Sequence, residues 1–262
     1  MLLLASAFCF LGNAPLGAQQ NARSVVLTFD DLVGQTTVRT TENYAAINRG
    51  IRGALRDAAA PAIAFVNERT LYEQGELLPD RVDILRAWLT DGFELGNHTY
   101  SHPNLHEVPV RQWLDDFDRG ETVLKTLWED FAPAQRYLRH PYLRTGQSDE
   151  VRAQVAEHLA KKDYRVAPVT IDNQEWIFAR AFDVAVDRGD GTAADAVAVA
   201  YVDYMVAMFE YYEDQSEKIV GRQMPHILLL HGNRLNAEAL PELLSRIRER
   251  GYRFNSLDEA LQ

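Results

Sequence analysis

The chain is nearly without cysteine: of its 262 residues only Cys9 is one, and it lies inside the first apolar stretch. With that stretch removed, disulfides are excluded, and so is a thiolate as nucleophile or metal ligand. Positive charge is short as well. Lys and Arg number 27 against 38 Asp and Glu, a formal net charge of −11, which excludes a phosphate backbone or an anionic membrane surface as the main partner, so no nucleic acid is expected. The sequence shows no internal repeat, low-complexity tract or linker, and a single domain with one sizeable core is expected. The apolar stretch Leu2–Leu11 is too short for a membrane span, so no integral span is expected.

What is there begins with that segment, "MLLLASAFCFLGNAPLGAQQ". It reads as a secretory signal peptide over residues 1–18, atypical because no Lys or Arg precedes the apolar stretch. An exported protein, periplasmic or secreted, is the expectation, with residues 19–262 as the mature domain.

Apolar, β-branched runs then alternate with helical patterns almost to the end. Strands are predicted at 24–29, 62–66, 93–98, 136–143, 164–171, 226–231 and 252–254, and helices at 42–59, 80–90, 110–130, 148–161 and 237–249. Repeated strand then helix predicts an α/β fold, a distorted barrel of about seven parallel strands, with an open doubly wound sheet as the alternative.

In such folds the chemistry collects where strands end. The first strand delivers two adjacent carboxylates, Asp30 and Asp31, which repel each other unless a cation waits there. The third delivers "NHTYSHP", with His98 and His102 four apart. Two imidazoles and one carboxylate supply three ligands to a divalent metal and leave a position open for water, while the second carboxylate is free to take a proton. His and carboxylate ligands suit zinc, cobalt, nickel or iron alike; zinc is the expectation because three such ligands with an open position are the pattern of a catalytic zinc site. His231, ending "HILLLH", has an ordinary pKa suited to a general acid, and Arg139 on an apolar strand needs a carboxylate partner if buried.

Taken in order, "TFDD", "HTYSHP", "RHPY", "DNQEW" and "LLLH" resemble the five motifs of the polysaccharide deacetylases, carbohydrate esterase family four. The resemblance implies a distorted α/β barrel and a metal-dependent deacetylase. By similarity Asp30 is the general base, Asp31, His98 and His102 hold the metal, and Arg139 orients Asp30. Tyr142 offers a backbone N–H to the oxyanion, Trp176 and Leu229 wall the acetyl pocket, and His231 is the general acid. Its carboxylate partner is Glu175, where the family usually has Asp, or else Asp172. The substrate implied is an acetylated glycan, N-acetylated chitin-like or peptidoglycan-type saccharides first; an O-acetyl xylan esterase and a C–N hydrolase of small amides or ureides are the alternatives.

Two departures from the pattern stand out. "DDLVGQ" lacks the Gly-Pro that usually follows the Asp pair. The stretch 177–225 reads as a helical insertion, either an amphipathic helix on the barrel or a cap that narrows the groove. Oligomeric state has no signature in the sequence.

Overall fold

The computed structural model describes residues 23–262; the signal-peptide reading therefore lies outside the described residues. Strands are β1 (Ser24–Leu32), β2 (Ala62–Val66), β3 (Tyr72–Glu73), β4 (Glu76–Leu77), β5 (Glu94–Asn97), β6 (Arg136–Leu138), β7 (Tyr164–Val166), β8 (His226–His231) and β9 (Arg253–Phe254). Helices are α1 (Thr41–Asp57), α2 (Pro79–Thr90), α3 (Val110–Arg119), α4 (Thr122–Asp130), α5 (Asp149–Lys161), α6 (Glu175–Asp187), α7 (Gly191–Val220), α8 (Arg234–Glu249) and α9 (Leu257–Ala260).

Seven strands form one parallel sheet in the order β7-β6-β5-β2-β1-β8, with β9 added beside β1. The two ends of this sheet meet. Beyond β7 the chain bridges to β8 through Ile171 and Leu228, and Thr170 and Ile171 both donate their N–H groups to the Ile227 carbonyl. The predicted distorted barrel is thus present, closed by one short bridge.

Strand alternation sorts the side chains into two layers. On β1, Val25, Leu27 and Phe29 join the large core under the helices, whereas Val26 joins Ile63, Phe65, Tyr137, Ala167 and Ile227 inside the barrel. Counting every second residue from these interior positions leads to Asp30, Arg139 and His231 at the ends of their strands, and on β5 Leu95 joins the large core, which puts Gly96 and His98 on the interior face. Gly96 sits one step before His98 because a Cβ there would come within 2.5 Å of the Phe65 ring.

Three predicted boundaries differ, each for a local reason. The expected strand 136–143 stops at Leu138, because Pro141 has no N–H to give a ladder and the chain turns over Pro141–Leu143. The expected strand 164–171 stops at Val166, with Pro168 following, and only Ile171 rejoins the sheet. The expected helix 110–130 breaks into α3 and α4 at Gly120, where a Cβ would collide with the Thr99 backbone at 2.5 Å.

The region 177–225 lies largely in two helices. α7 is long and apolar enough to cross a membrane by length and composition, but it turns Tyr201, Met205 and Phe209 into the core of this domain. α6 borders the site described next.

Candidate active site

The carboxyl ends of the strands open into a cleft of about 720 Å³. Asp30, Asp31, His98, His102, Tyr142, Trp176, Leu229 and His231 all line it, so the structure gathers eight of the predicted site residues around one space.

Asp31 Oδ1 stands 3.6 Å from Nε2 of His98 and 3.6 Å from Nε2 of His102, and the donor atoms of all three lie within 4.8 Å of one another. These separations are too long for hydrogen bonds. They match the edge of a metal tetrahedron, since ligands about 2.1 Å from a common ion stand roughly 3.4 Å apart. The tautomer is set from behind: His98 Nδ1–H donates to the Arg139 carbonyl at 2.7 Å, leaving Nε2 free to ligate. Burial holds the His98 imidazole down to about 3, so it is neutral and able to bind a metal. The loop carrying the second histidine is pinned by α3, where Asp116 accepts from the Ser101 N–H at 2.9 Å and the Ser101 hydroxyl at 2.6 Å. The donor set and its spacing therefore fit a divalent metal.

Asp30 lies beside this group, its Oδ2 3.7 Å from His98 Nε2. Arg139, fully buried, donates from Nη1 to Asp30 at 3.1 Å and from Nη2 to the Thr28 hydroxyl at 3.1 Å, while Nε–H reaches the Ala167 carbonyl at 3.0 Å. A buried guanidinium needs this much satisfaction to be tolerated. Burial raises the Asp30 carboxyl above its ordinary range, against the opposing pull of Arg139. The lone pairs keep a stronger hold on a proton than those of an exposed aspartate.

On the other side His231 Nδ1 meets Glu175 Oε2 at 2.8 Å. The remaining Glu175 oxygen accepts from Asn233 and, at 2.7 Å, from Asn236, so this carboxylate is buried and fully bonded. Burial alone lowers His231, but the Glu175 charge, assisted by Asp31 and Asp30, outweighs it and raises the imidazole to about 9. The choice between Glu175 and Asp172 is thereby corrected to one residue. Ile171, locked to β8, is followed by a solvent-exposed Asp172, whose side chain accepts, among the described residues, only from the Asn173 N–H, and Glu175 enters as the first residue of α6. The extra methylene of Glu is accommodated by the two asparagines.

Backbone strain concentrates here. Of eight non-glycine residues with positive φ among the described residues, Asp31, His102, Tyr142 and Leu143 line the cleft. For Tyr142 (φ 56°) this aims the peptide N–H away from any acceptor of the chain among the described residues, and its ring packs on His102 at 4.4 Å. The sequence reading missed Gln35, whose amide donates to Asp31 Oδ2 at 3.2 Å, and the asparagines Asn233 and Asn236. Gln35 closes "DDLVGQ" four residues after Asp31, and both asparagines follow His231 in "HGNRLN", spacings that only a known turn makes meaningful.

The profile of the polysaccharide deacetylase family matches residues 17–164, more than half of the chain. The chain belongs to the polysaccharide deacetylase family. Among curated relatives, a peptidoglycan-N-acetylglucosamine deacetylase of Bacillus cereus is 23% identical over 92% of this chain and 70% of its own length. Among solved structures, the polysaccharide deacetylase Bc1974 of Bacillus cereus superposes with TM-score 0.61 at 17% identity, covering 89% of this chain and 91% of that one. A pseudoenzyme of the CE4 family from Bacillus anthracis superposes with TM-score 0.59 at 16% identity, covering 92% of this chain and 66% of that one. At such identities the solved structures establish the fold, and a pseudoenzyme on it means that the chemistry of this polysaccharide deacetylase domain has to be argued from its own side chains.

Proposed function

We propose that this protein is an exported, zinc-dependent hydrolase that removes acetyl groups from the amino sugars of a peptidoglycan- or chitin-type glycan. The observation that carries this reading is the pairing of a three-donor metal group (Asp31, His98, His102) with a buried, arginine-clamped Asp30 and a glutamate-backed His231 around one cleft. A divalent cation held by the three donors would polarise the acetyl carbonyl and make water acidic enough to attack near neutral pH.

The protein's own residues account for the rest. Asp30 accepts the proton of the attacking water, its basicity raised by burial and its orientation held by Arg139. The Tyr142 N–H is free to bond the oxygen on which negative charge develops. Leu229 and Trp176 bound the space for the acetyl methyl group. His231, protonated up to about pH 9, gives its proton to the departing amine, and Glu175 stabilises the imidazolium until then. Trp176 and Tyr142 are 51% and 59% exposed at the rim, which favours a saccharide ring stacked at an open cleft over a small amide sealed in a closed one. The peptidoglycan deacetylase of Bacillus cereus supports the glycan class. The apolar stretch before Gly17 supports export.

The test is acetate release from chitooligosaccharides and from peptidoglycan fragments by zinc-loaded protein, beside acetylated xylan. Release from the N-acetylated glycans, lost in Asp30→Asn, is expected. Release from xylan alone would reassign the enzyme as an O-acetyl esterase.

A further inference from the structure

Residues 34–40, the loop that departs from the family pattern, carry one side chain onto a candidate metal donor. The Gln35 amide donates from Nε2 to Asp31 Oδ2 at 3.2 Å, whereas Asp31 Oδ1 is the oxygen that stands 3.6 Å from Nε2 of both His98 and His102. The two oxygens of one carboxylate therefore have separate partners. A free carboxylate can close on a cation with both oxygens; one whose second oxygen is hydrogen-bonded presents a single donor.

Asp31 depends on this contact. Asp30 is buried and clamped by Arg139, but the Asp31 side chain is 19% exposed, and Gln35 is the only hydrogen-bond donor to its carboxylate among the described residues. An amide carries no charge, so it orients the carboxylate without cancelling the attraction for a cation. Its own placement is fixed by two anchors. Gln35 N–H donates to the Gly232 carbonyl at 2.7 Å, beside His231. Two residues on, Asp183 Oδ2 accepts from the Thr37 N–H at 2.8 Å and Asp187 Oδ2 from the Thr37 hydroxyl at 2.5 Å, with Arg234 holding Asp187 at 2.6 Å. A loop tied to the end of β8 and to α6 keeps Gln35 within reach of Asp31 without burying it.

We infer that Gln35 is a positioning residue for the metal: it holds Asp31 to ligation through Oδ1 alone and so preserves an open coordination position for water and the acetyl oxygen. The effect on turnover rests on the deacetylase reading, whereas the effect on the metal rests only on the donor group.

The experiment loads metal-free protein with cobalt(II) or zinc, as wild type, Gln35→Leu and Gln35→Asn, and measures acetate release from chitooligosaccharides by the zinc forms. Cobalt(II) reports its coordination number through its visible absorption, strong at four ligands and weak at six. Leu fills similar space with no donor, and Asn is one methylene shorter and falls out of reach. Both variants should show weaker cobalt absorption as Oδ2 joins Oδ1 on the ion. At full zinc occupancy their kcat should be about tenfold lower, with KM little changed. Cobalt spectra identical to wild type in both variants would overturn the assignment, and a raised KM with unchanged kcat and spectrum would make Gln35 a substrate contact instead. If no protein released acetate, the deacetylase reading would fall, while the cobalt spectra would still decide the role of Gln35.

Discussion

His98 and Arg139 share a single hydrogen bond that ties the two halves of the site together. The Arg139 carbonyl receives the His98 Nδ1–H at 2.7 Å, and the same residue's guanidinium holds Asp30 at 3.1 Å. One strand end thus orients a candidate metal donor with its backbone and the proposed base with its side chain, so displacement of Arg139 disturbs both.

Replacing Arg139 is therefore expected to be the most damaging single change. Arg139→Met leaves Asp30 buried without its counter-charge and should cost about 3–5 kcal/mol of stability, read by urea unfolding. Arg139→Lys should recover part of the stability but less of the activity, since an ammonium has no fork with which to hold Asp30 and Thr28 at once.

Asp30→Asn keeps the volume and removes the proposed base. Activity should fall by about 10²–10⁴-fold while bound divalent metal, measured by elemental analysis after loading, remains near one per chain. His102→Ala, by contrast, should lose the metal itself, because it removes one of three donors.

The alkaline limb of activity reports His231. In the proposed mechanism its proton goes to the leaving amine, so activity should fall as pH rises through its pKa, which Glu175 holds at about 9. In Glu175→Gln the charge is gone and burial, which lowers the imidazole, is unopposed by that partner. The limb of a kcat/KM profile should move acidward by more than one pH unit, with the acid limb little changed.

Chelation should abolish activity without unfolding the domain. The metal donors are placed by His98–Arg139 and Ser101–Asp116 bonds that do not involve the ion. Far-ultraviolet circular dichroism should be unchanged after EDTA, with Tm lower by a few degrees, as expected for loss of a native-state ligand.

Away from the site, Glu68 gives stability a pH dependence of its own. It is fully buried with Oε1 accepting from the Val123 and Leu124 N–H groups at the start of α4, and burial raises it to about 7. A carboxyl raised in the folded state holds its proton there and not in the unfolded chain, so stability is lost as pH climbs from about 4.5 to about 7. The loss is on the order of 3 kcal/mol at 1.36 kcal/mol per unit. Glu68→Gln should flatten this slope in denaturant titrations between about pH 5 and 8, with Glu94, also raised to about 7 by burial, keeping the remainder.

The sequence by itself determined much of this protein: alternating apolar runs imposed a parallel barrel, because each strand can hide both faces only between helices and interior. Period-two alternation carried Asp30, His98, Arg139 and His231 to the interior ends of their strands, so order and identity were legible there. Distances across strands were not, because pairing joins residues 109 apart in Asp30–Arg139 and 56 apart in His231–Glu175. Tertiary structure alone decided that Glu175 and not Asp172 backs the histidine, since one bridge at Ile171 sets which side chain turns inward. It alone also brought loop 34–40 against α6, placing Arg39 and Arg180 on one wall of the cleft. Local pattern governs which face a residue takes; only the closing of the sheet governs what it meets.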